Sequence, residues 1–302
     1  MKTVLITGGT GLVGTRLTDM LLAKGYAVAH LSRNAGKNPH VKTFLWNVEK
    51  GEIDQNALLE ADYLVHLAGA GIADKRWSDA RKKEILESRT QSIALISSKL
   101  DNIPHHIQAL VSASGISYYG MDTGAEWISE QFTAGVDFLA DVSVAWEASA
   151  DAVAALGIRT VKLRTGIVLS NKGGALPQLA LPIRWCVGSP LGSGKQYQSW
   201  IHIDDLCRLY IKAIEDNTMQ GAYNAVAPNP VTNAQFTQTV AKCLKRPLWL
   251  PNIPAFFMKL LLGEMAAVVL GGNYILNHRI TQETDFQYLF TNSQKALEDL
   301  LT

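Results

Sequence analysis

The sequence predicts an α/β protein: a doubly wound parallel sheet carrying a smaller, mostly helical C-terminal lobe. Three observations carry this. Short apolar runs alternate with amphipathic segments through the first half of the chain. A glycine-rich string separates the first apolar run from the first amphipathic one. Glycine and proline then concentrate between Ser170 and Ser199, ahead of a helix-rich tail.

Taken in order, Thr3–Thr7 reads as a buried strand and Leu12–Lys24 as a helix ending near Gly25. Strands follow at Ala27–Ser32, Tyr63–Ala68 and Ala109–Ser114, with a long helix over Ser78–Leu100. Phe138–Leu156 is the next helix, closed by Gly157, and Arg159–Leu163 the strand after it. Ile203–Glu215 reads as helix, Ala222–Ala225 as a short strand and Asn233–Lys245 as helix; the tail from Pro251 is mostly helical. The expected division is 1–169 with 200–220 as the sheet domain, and 170–199 with 221–302 as a discontinuous substrate lobe.

Composition narrows the class. The chain has 302 residues, is 47% hydrophobic and carries a formal net charge of +1. That balance gives no electrostatic reason to expect nucleic acid or a membrane as partner. Cys186, Cys207 and Cys243 are far apart and lack metal-ligand spacing, which fits a reducing compartment. The strand pattern begins at Thr3 and leaves no room for a cleavable leader. The most apolar stretch, Phe256–Leu270, is interrupted by Lys259 and Glu264 and falls short of the roughly 20 residues a span requires. A cytoplasmic location and a small-molecule substrate are expected.

The string Thr7-Gly8-Gly9-Thr10-Gly11-Leu12-Val13-Gly14 is the dinucleotide-binding element of a Rossmann-type sheet. Gly8 permits the tight turn, Gly11 lets backbone approach a pyrophosphate, and Gly14 lets helix and strand pack. The end of the second strand decides which dinucleotide binds. A carboxylate there would hold the ribose 2′-OH of NAD, but the sequence reads Ser32-Arg33-Asn34, with Lys37 close behind. Arg33 can pair with a 2′-phosphate, so NADP(H) is the expected cofactor. His66-Leu67-Ala68-Gly69-Ala70-Gly71 ends a later strand in small residues that let backbone lie against the cofactor; His66 itself reads as a packed strand-end side chain.

These motifs resemble the epimerase-like extended branch of the short-chain dehydrogenase/reductases. So do Trp200-Ile201-His202-Ile203-Asp204-Asp205-Leu206, Arg76-Trp77, Ser88-Arg89, Tyr118-Tyr119-Gly120 and Ala145-Trp146-Glu147. Leu163-Arg164-Thr165-Gly166-Ile167-Val168-Leu169 and Pro190-Leu191-Gly192-Ser193-Gly194-Lys195-Gln196 narrow the likeness to the family of sugar-nucleotide epimerases described as atypical members. The tail from Leu262 resembles that family's C-terminal domain of unknown function. The resemblance implies cofactor contacts at Gly8, Gly11, Leu12, Val13, Gly14, Ser32, Arg33, Leu67 and Ala68. It adds Glu84 and Arg89 on the long helix, and Arg164, Thr165 and Val168 beneath the nicotinamide. The superfamily's helices at Ser78–Leu100 and Phe138–Leu156 commonly pair two subunits, which allows a homodimer.

Superfamily catalysis uses a tyrosine and a lysine four residues later, whose lowered tyrosine pKa permits proton exchange with substrate. Aligned on Glu147, that pair falls at Leu139 and Ser143, so it is missing here. Ser114 is expected as the orienting serine and Tyr119 as the substitute proton donor. The leading expectation is an NADP(H)-dependent, epimerase-like oxidoreductase on a small polar or nucleotide-linked compound. The alternative is a non-catalytic NADP(H)-binding redox sensor or partner-binding protein.

Overall fold

A computed structural model of the chain describes every residue except Lys37, so the reading of that lysine lies outside the described residues. An eight-stranded sheet forms the centre. Its strands are β1 (Thr3–Thr7), β2 (Ala27–Ser32), β3 (Lys42–Asn47), β4 (Glu52–Ile53), β5 (Tyr63–His66), β6 (Ala109–Gly115), β7 (Arg159–Thr165) and β8 (Gly221–Ala225). The order across the sheet is β8-β7-β6-β5-β1-β2-β3-β4. All neighbours are parallel except the β3–β4 pair at one edge. The chain reverses its direction of travel across the sheet after β4, beside β1, which puts the β1 and β5 carboxyl ends at the crevice where ligands bind in such sheets.

Both faces are covered, so successive residues of one strand feed opposite cores. Val4 and Ile6 of β1, with Val65, Val111 and Val161, pack under α1 (Leu12–Ala23) and Ile203–Glu215. Leu5, Leu64 and Leu110 pack on the other side, with Ile93, Ile96 and Trp146 from α2 (Asp79–Leu100) and α3 (Phe138–Ala154). The β1, β2 and Ile203–Glu215 bounds match the sequence reading. Lys42–Asn47 and its short partner Glu52–Ile53 were absent from it, although Phe44 and Trp46 alternate into the core.

The lobe grows out of the sheet's carboxyl edge. Ile167–Leu169 pairs with Trp200–His202, and Tyr197–Gln198 pairs with Val231–Thr232. Between them, α4 (Ala175–Arg184) packs on the helix Asn233–Cys243, which also meets Ser293–Leu301. Among the described residues no helix is long and apolar enough to cross a membrane, no side-chain group could hold a metal, and the three cysteines are unpaired.

One buried carboxylate ties the tail to the sheet domain. Asp205, fully buried in the first turn of Ile203–Glu215, accepts the N–H groups of Leu289 and Phe290 at 2.8 and 2.9 Å and pairs with Arg208 at 2.9 Å. Asp205→Ala leaves two backbone donors unsatisfied and should lower stability by about 3 kcal/mol in urea unfolding. A loss under about 1 kcal/mol would show that the tail is held by apolar packing alone.

Candidate cofactor and active site

At the end of β1 the chain turns on Gly8, where φ is +69° and a Cβ would come within 2.8 Å of the Leu67 carbonyl carbon. Only glycine fits that turn. The Thr7 hydroxyl accepts the N–H groups of Leu67 and Ala68, both at 3.2 Å, so the loop and the end of β5 form one ledge. Gly14 lets α1 close on its own loop, since a Cβ there would fall 2.4 Å from the Gly8 oxygen. Gly11 differs: a Cβ would meet only the Gly8 oxygen, at 3.3 Å, and otherwise open space.

Gly11 also caps α1 without any side-chain acceptor, and no acidic residue stands in the first turn. The N–H groups at Leu12 and Val13 therefore face outward at the positive end of the helix dipole. A cavity of about 500 Å³ opens there between Thr10–Leu12 and Ser170–Gly173, with Lys172 on its wall. Sequence reasoning missed the reason for Gly9. Its Cβ would strike the His30 ring at 2.4 Å, and His30 lies 2.8 Å from the Thr18 hydroxyl, which donates to the Gly14 oxygen.

Ser32 and Arg33 sit where β2 ends. Arg33 is exposed, and the Ser32 hydroxyl accepts the N–H of Asn34 at 3.3 Å. Glu84 faces the same space: the hydrogen bond from Arg81, with a smaller contribution from the Arg33 charge, holds its carboxyl below the usual range. Arg81 is buried, pairing with Glu84 at 2.7 Å and donating to the Gly71 oxygen. It was not singled out in the sequence, although Arg81, Ile85 and Arg89 lie on one face of α2 at four-residue steps.

Arg89 is the most informative side chain of this region. It is 6% exposed, and among the described residues it pairs with no carboxylate. It donates to the Ile85 oxygen at 2.8 Å and lies over the Trp146 ring, while its Nε has no hydrogen-bond partner. Burial and the nearby Arg81 charge pull its pKa down to about 10. A Cβ on Gly69 would come within 3.1 Å of its guanidinium carbon, so the strand end leaves just enough room for it. A buried cation without a counter-charge is costly and calls for an anion from outside the fold.

At the opposite end of the cleft the structure corrects three expectations. Ser114 is buried, and its hydroxyl donates to Glu147 Oε1 at 2.7 Å. Tyr119 is 5% exposed and turned inward: its hydroxyl donates to Asn224 Oδ1 and accepts from Arg164 Nη1, both at 2.8 Å. Burial pushes its pKa up to about 12, away from the range of a useful proton donor. Arg164, expected at the cofactor, grips Glu147 with Nε at 2.7 Å and Nη2 at 2.9 Å and lies over the Tyr118 ring. These groups converge on one another.

The positions that would hold the tyrosine and lysine, Leu139 and Ser143, are both buried on α3. What stands beside them is Gly115 and Ser117. The Ser117 and Ser143 hydroxyls lie 3.0 Å apart, Ser143 donates to the Leu139 oxygen, and a Cβ on Gly115 would sit 2.9 Å from the Ser117 hydroxyl. Thr165, the last residue of β7, whose hydroxyl donates to the Leu163 oxygen, and Val168, in the strand Ile167–Leu169 just beyond it, are half-buried.

His66 lies between the two ends, buried, bonded to the Ser92 hydroxyl at 2.8 Å and set edge-on to Trp146. Burial, reinforced by the Arg89 charge, drives its pKa down to about 3. The folded state thus refuses a proton that the unfolded chain accepts below about pH 6.5. Stability should fall as the pH drops from 6.5 toward 3, by up to about 1.4 kcal/mol per pH unit. His30 and His202, also lowered by burial, add in the same direction. Urea unfolding of His66→Gln between pH 7 and 4.5 should show a shallower slope than wild type; an unchanged slope would mean that His66 does not carry this loss.

Comparison with known proteins agrees with this arrangement. Residues 4–225 match the model of the NAD dependent epimerase/dehydratase family, and residues 253–300 match a domain of unknown function, DUF1731. Epimerase family protein SDR39U1 of Mus musculus is 34% identical over 301 residues, covering 99% of both chains. Epimerase family protein YfhF of Bacillus subtilis is 33% identical over 299 residues, 99% of this chain and 97% of that one. The crystal structure of human epimerase family protein SDR39U1 with NADPH superposes with a TM-score of 0.87 at 33% identity, covering 99% of each chain. With its phosphate ledge, its Rossmann sheet and likeness along nearly its whole length, the chain belongs to the NAD dependent epimerase/dehydratase family.

Proposed function

We propose that the protein binds NADP(H) and acts as an epimerase-like oxidoreductase on a small polar or nucleotide-linked compound. Arg89 carries this reading: a buried arginine lacking a carboxylate, beside a glycine-opened strand end, fits an anionic cofactor and little else. The NADPH in the human relative's structure supports the same choice. Gly8, Gly11, Leu12, Val13 and Gly14 would hold the pyrophosphate, and Ser32 and Arg33 the 2′-phosphate. Leu67, Ala68, Glu84 and Arg89 would line the adenosine side, and Thr165 and Val168 the nicotinamide side. The substrate lies between the sheet and the lobe of 170–199 and 221–302.

When bound, the nicotinamide supplies hydride exchange. The chain's own residues orient the reactants and exclude water. Because the Ser114 and Tyr119 hydroxyls are buried and bonded to Glu147, Arg164 and Asn224, the hydroxyl left to orient a substrate oxygen and exchange its proton is that of half-buried Ser117, which must first give up its bond to Ser143. A serine is a weak proton shuttle. That weakness also favours a second reading, an NADP(H)-binding sensor or partner-binding protein without turnover.

Titration should give tighter binding of NADPH than NADH, and Arg33→Ala should weaken NADPH about 10- to 100-fold while sparing NADH. Equal affinities in the wild type would overturn the cofactor assignment. Gly11→Val should abolish binding of both cofactors with the fold intact by circular dichroism.

With sugar nucleotides and small carbonyls as substrates, Ser117→Ala should lower turnover about 100-fold. Tyr119→Phe should keep turnover near wild type and lower stability by about 1–3 kcal/mol, since it frees two buried partners. If wild type oxidises no NADPH with any of these compounds, the sensor reading replaces the enzymatic one.

A further inference from the structure

The chain-wide charge of +1 hides a strong asymmetry. From 170 to 203 and from 217 to 263 there are seven lysines and arginines and no aspartate or glutamate. The remainder of the chain carries −6. The basic segments make up most of the lobe, whose remaining stretch, 264–302, is net acidic, and they also hold its largest exposed apolar side chains.

Trp185 is 74% exposed, Trp249 67%, Phe256 70% and Leu260 75%, with Phe257 and Leu261 exposed beside them. The helix α5 (Ala255–Leu262), of sequence AFFMKLLL, buries none of its residues. The segments that carry these side chains lie side by side. Trp249 donates its indole N–H to the Cys186 oxygen at 2.8 Å, and Leu191 bridges Ile253, so the segment after Trp185 runs beside the one that enters α5. The far end of α5 is fastened: Lys82 pairs with Glu264, and Gly263, at φ +62°, turns against the Arg76 guanidinium. The helix is exposed and held.

Arg184, Lys245, Arg246 and Lys259 are exposed in the same segments. Among the described residues, the two non-glycine positions with left-handed backbone are Cys186 and Lys245, each next to one of these groups. We propose that this face docks on the surface of an anionic lipid bilayer, with Trp185, Trp249 and α5 at headgroup depth and the basic residues against lipid phosphates. Exposed tryptophans beside a short apolar helix, with basic residues in the same segments, are the composition of an interfacial contact. A second copy of the chain would be a poor occupant, because a two-fold contact brings two basic segments together with no aspartate or glutamate in either. The docking is independent of turnover and cofactor choice.

The test is flotation of the full chain with phosphatidylcholine vesicles, with and without about 30% phosphatidylglycerol, at low and at 0.5 M salt. Binding should require phosphatidylglycerol and fall at high salt. Lys245→Gln/Arg246→Gln should weaken partitioning about 25-fold, at about fivefold per basic residue lost, and Trp185→Ser/Leu260→Ser should abolish it. NADPH affinity, unchanged in both variants, reports that they are folded. Failure to float with anionic vesicles overturns the proposal. So does retention on an immobilised acidic protein without vesicle binding, which would assign the face to a protein partner, and so does concentration-dependent dimerisation that the Trp185→Ser/Leu260→Ser variant abolishes.

Discussion

The bidentate pair between Glu147 and Arg164 is the contact on which the carboxyl edge of the sheet depends. Glu147 comes from α3, Arg164 from β7, and through them Ser114 on β6, Tyr119 on the following turn and Asn224 on β8 enter one network. Two opposite charges are buried with their donors and acceptors almost fully used, the condition under which such a pair is tolerated. Three neighbouring strands and one helix thereby acquire a fixed spacing at the carboxyl edge of the sheet, where substrate chemistry in this architecture takes place.

The opposite half of the cleft is organised by an imbalance. Arg81 finds Glu84, while Arg89, two turns further along the same helix face, finds only a backbone oxygen and an aromatic ring. The fold keeps a positive charge in reserve beside a helix N-terminus whose N–H groups are also unspent. On the proposed reading one anionic ligand would satisfy both features; among the described residues no carboxylate pairs with Arg89 and no side chain caps α1. The neutral His66 between them is what that local field permits, since a third cation there would face Arg89 in low dielectric.

The glycine loop was legible in the sequence because its geometry depends on backbone alone. A positive φ at Gly8 and the closeness of Gly14 to its own turn need no distant partner. The same holds for the missing tyrosine and lysine, which a helical spacing locates. The directions of Ser114 and Tyr119 were not legible. On a strand a one-residue shift reverses the face, and here it is Gly115 that sits beside Ser117 while Ser114 turns to Glu147. Tyr119 is decided by Arg164 and Asn224, which reach it from other strands. Lys42–Asn47 escaped notice because only Phe44 and Trp46 of its six residues are buried, a short signal at one side of the sheet.

The Glu147–Arg164 pair also closes an evolutionary door. Ser143 lies one helical turn before Glu147, on the same face of α3, and is itself buried. A lysine restored at that position would bring a third cation to a carboxylate that already holds a bidentate arginine and has Lys162 at 3.9 Å. It would then stand in the interior without a counter-charge. Regaining the superfamily's proton relay therefore asks more of this chain than a tyrosine at 139 and a lysine at 143, because the charges gathered at Glu147 would have to be rebalanced with them.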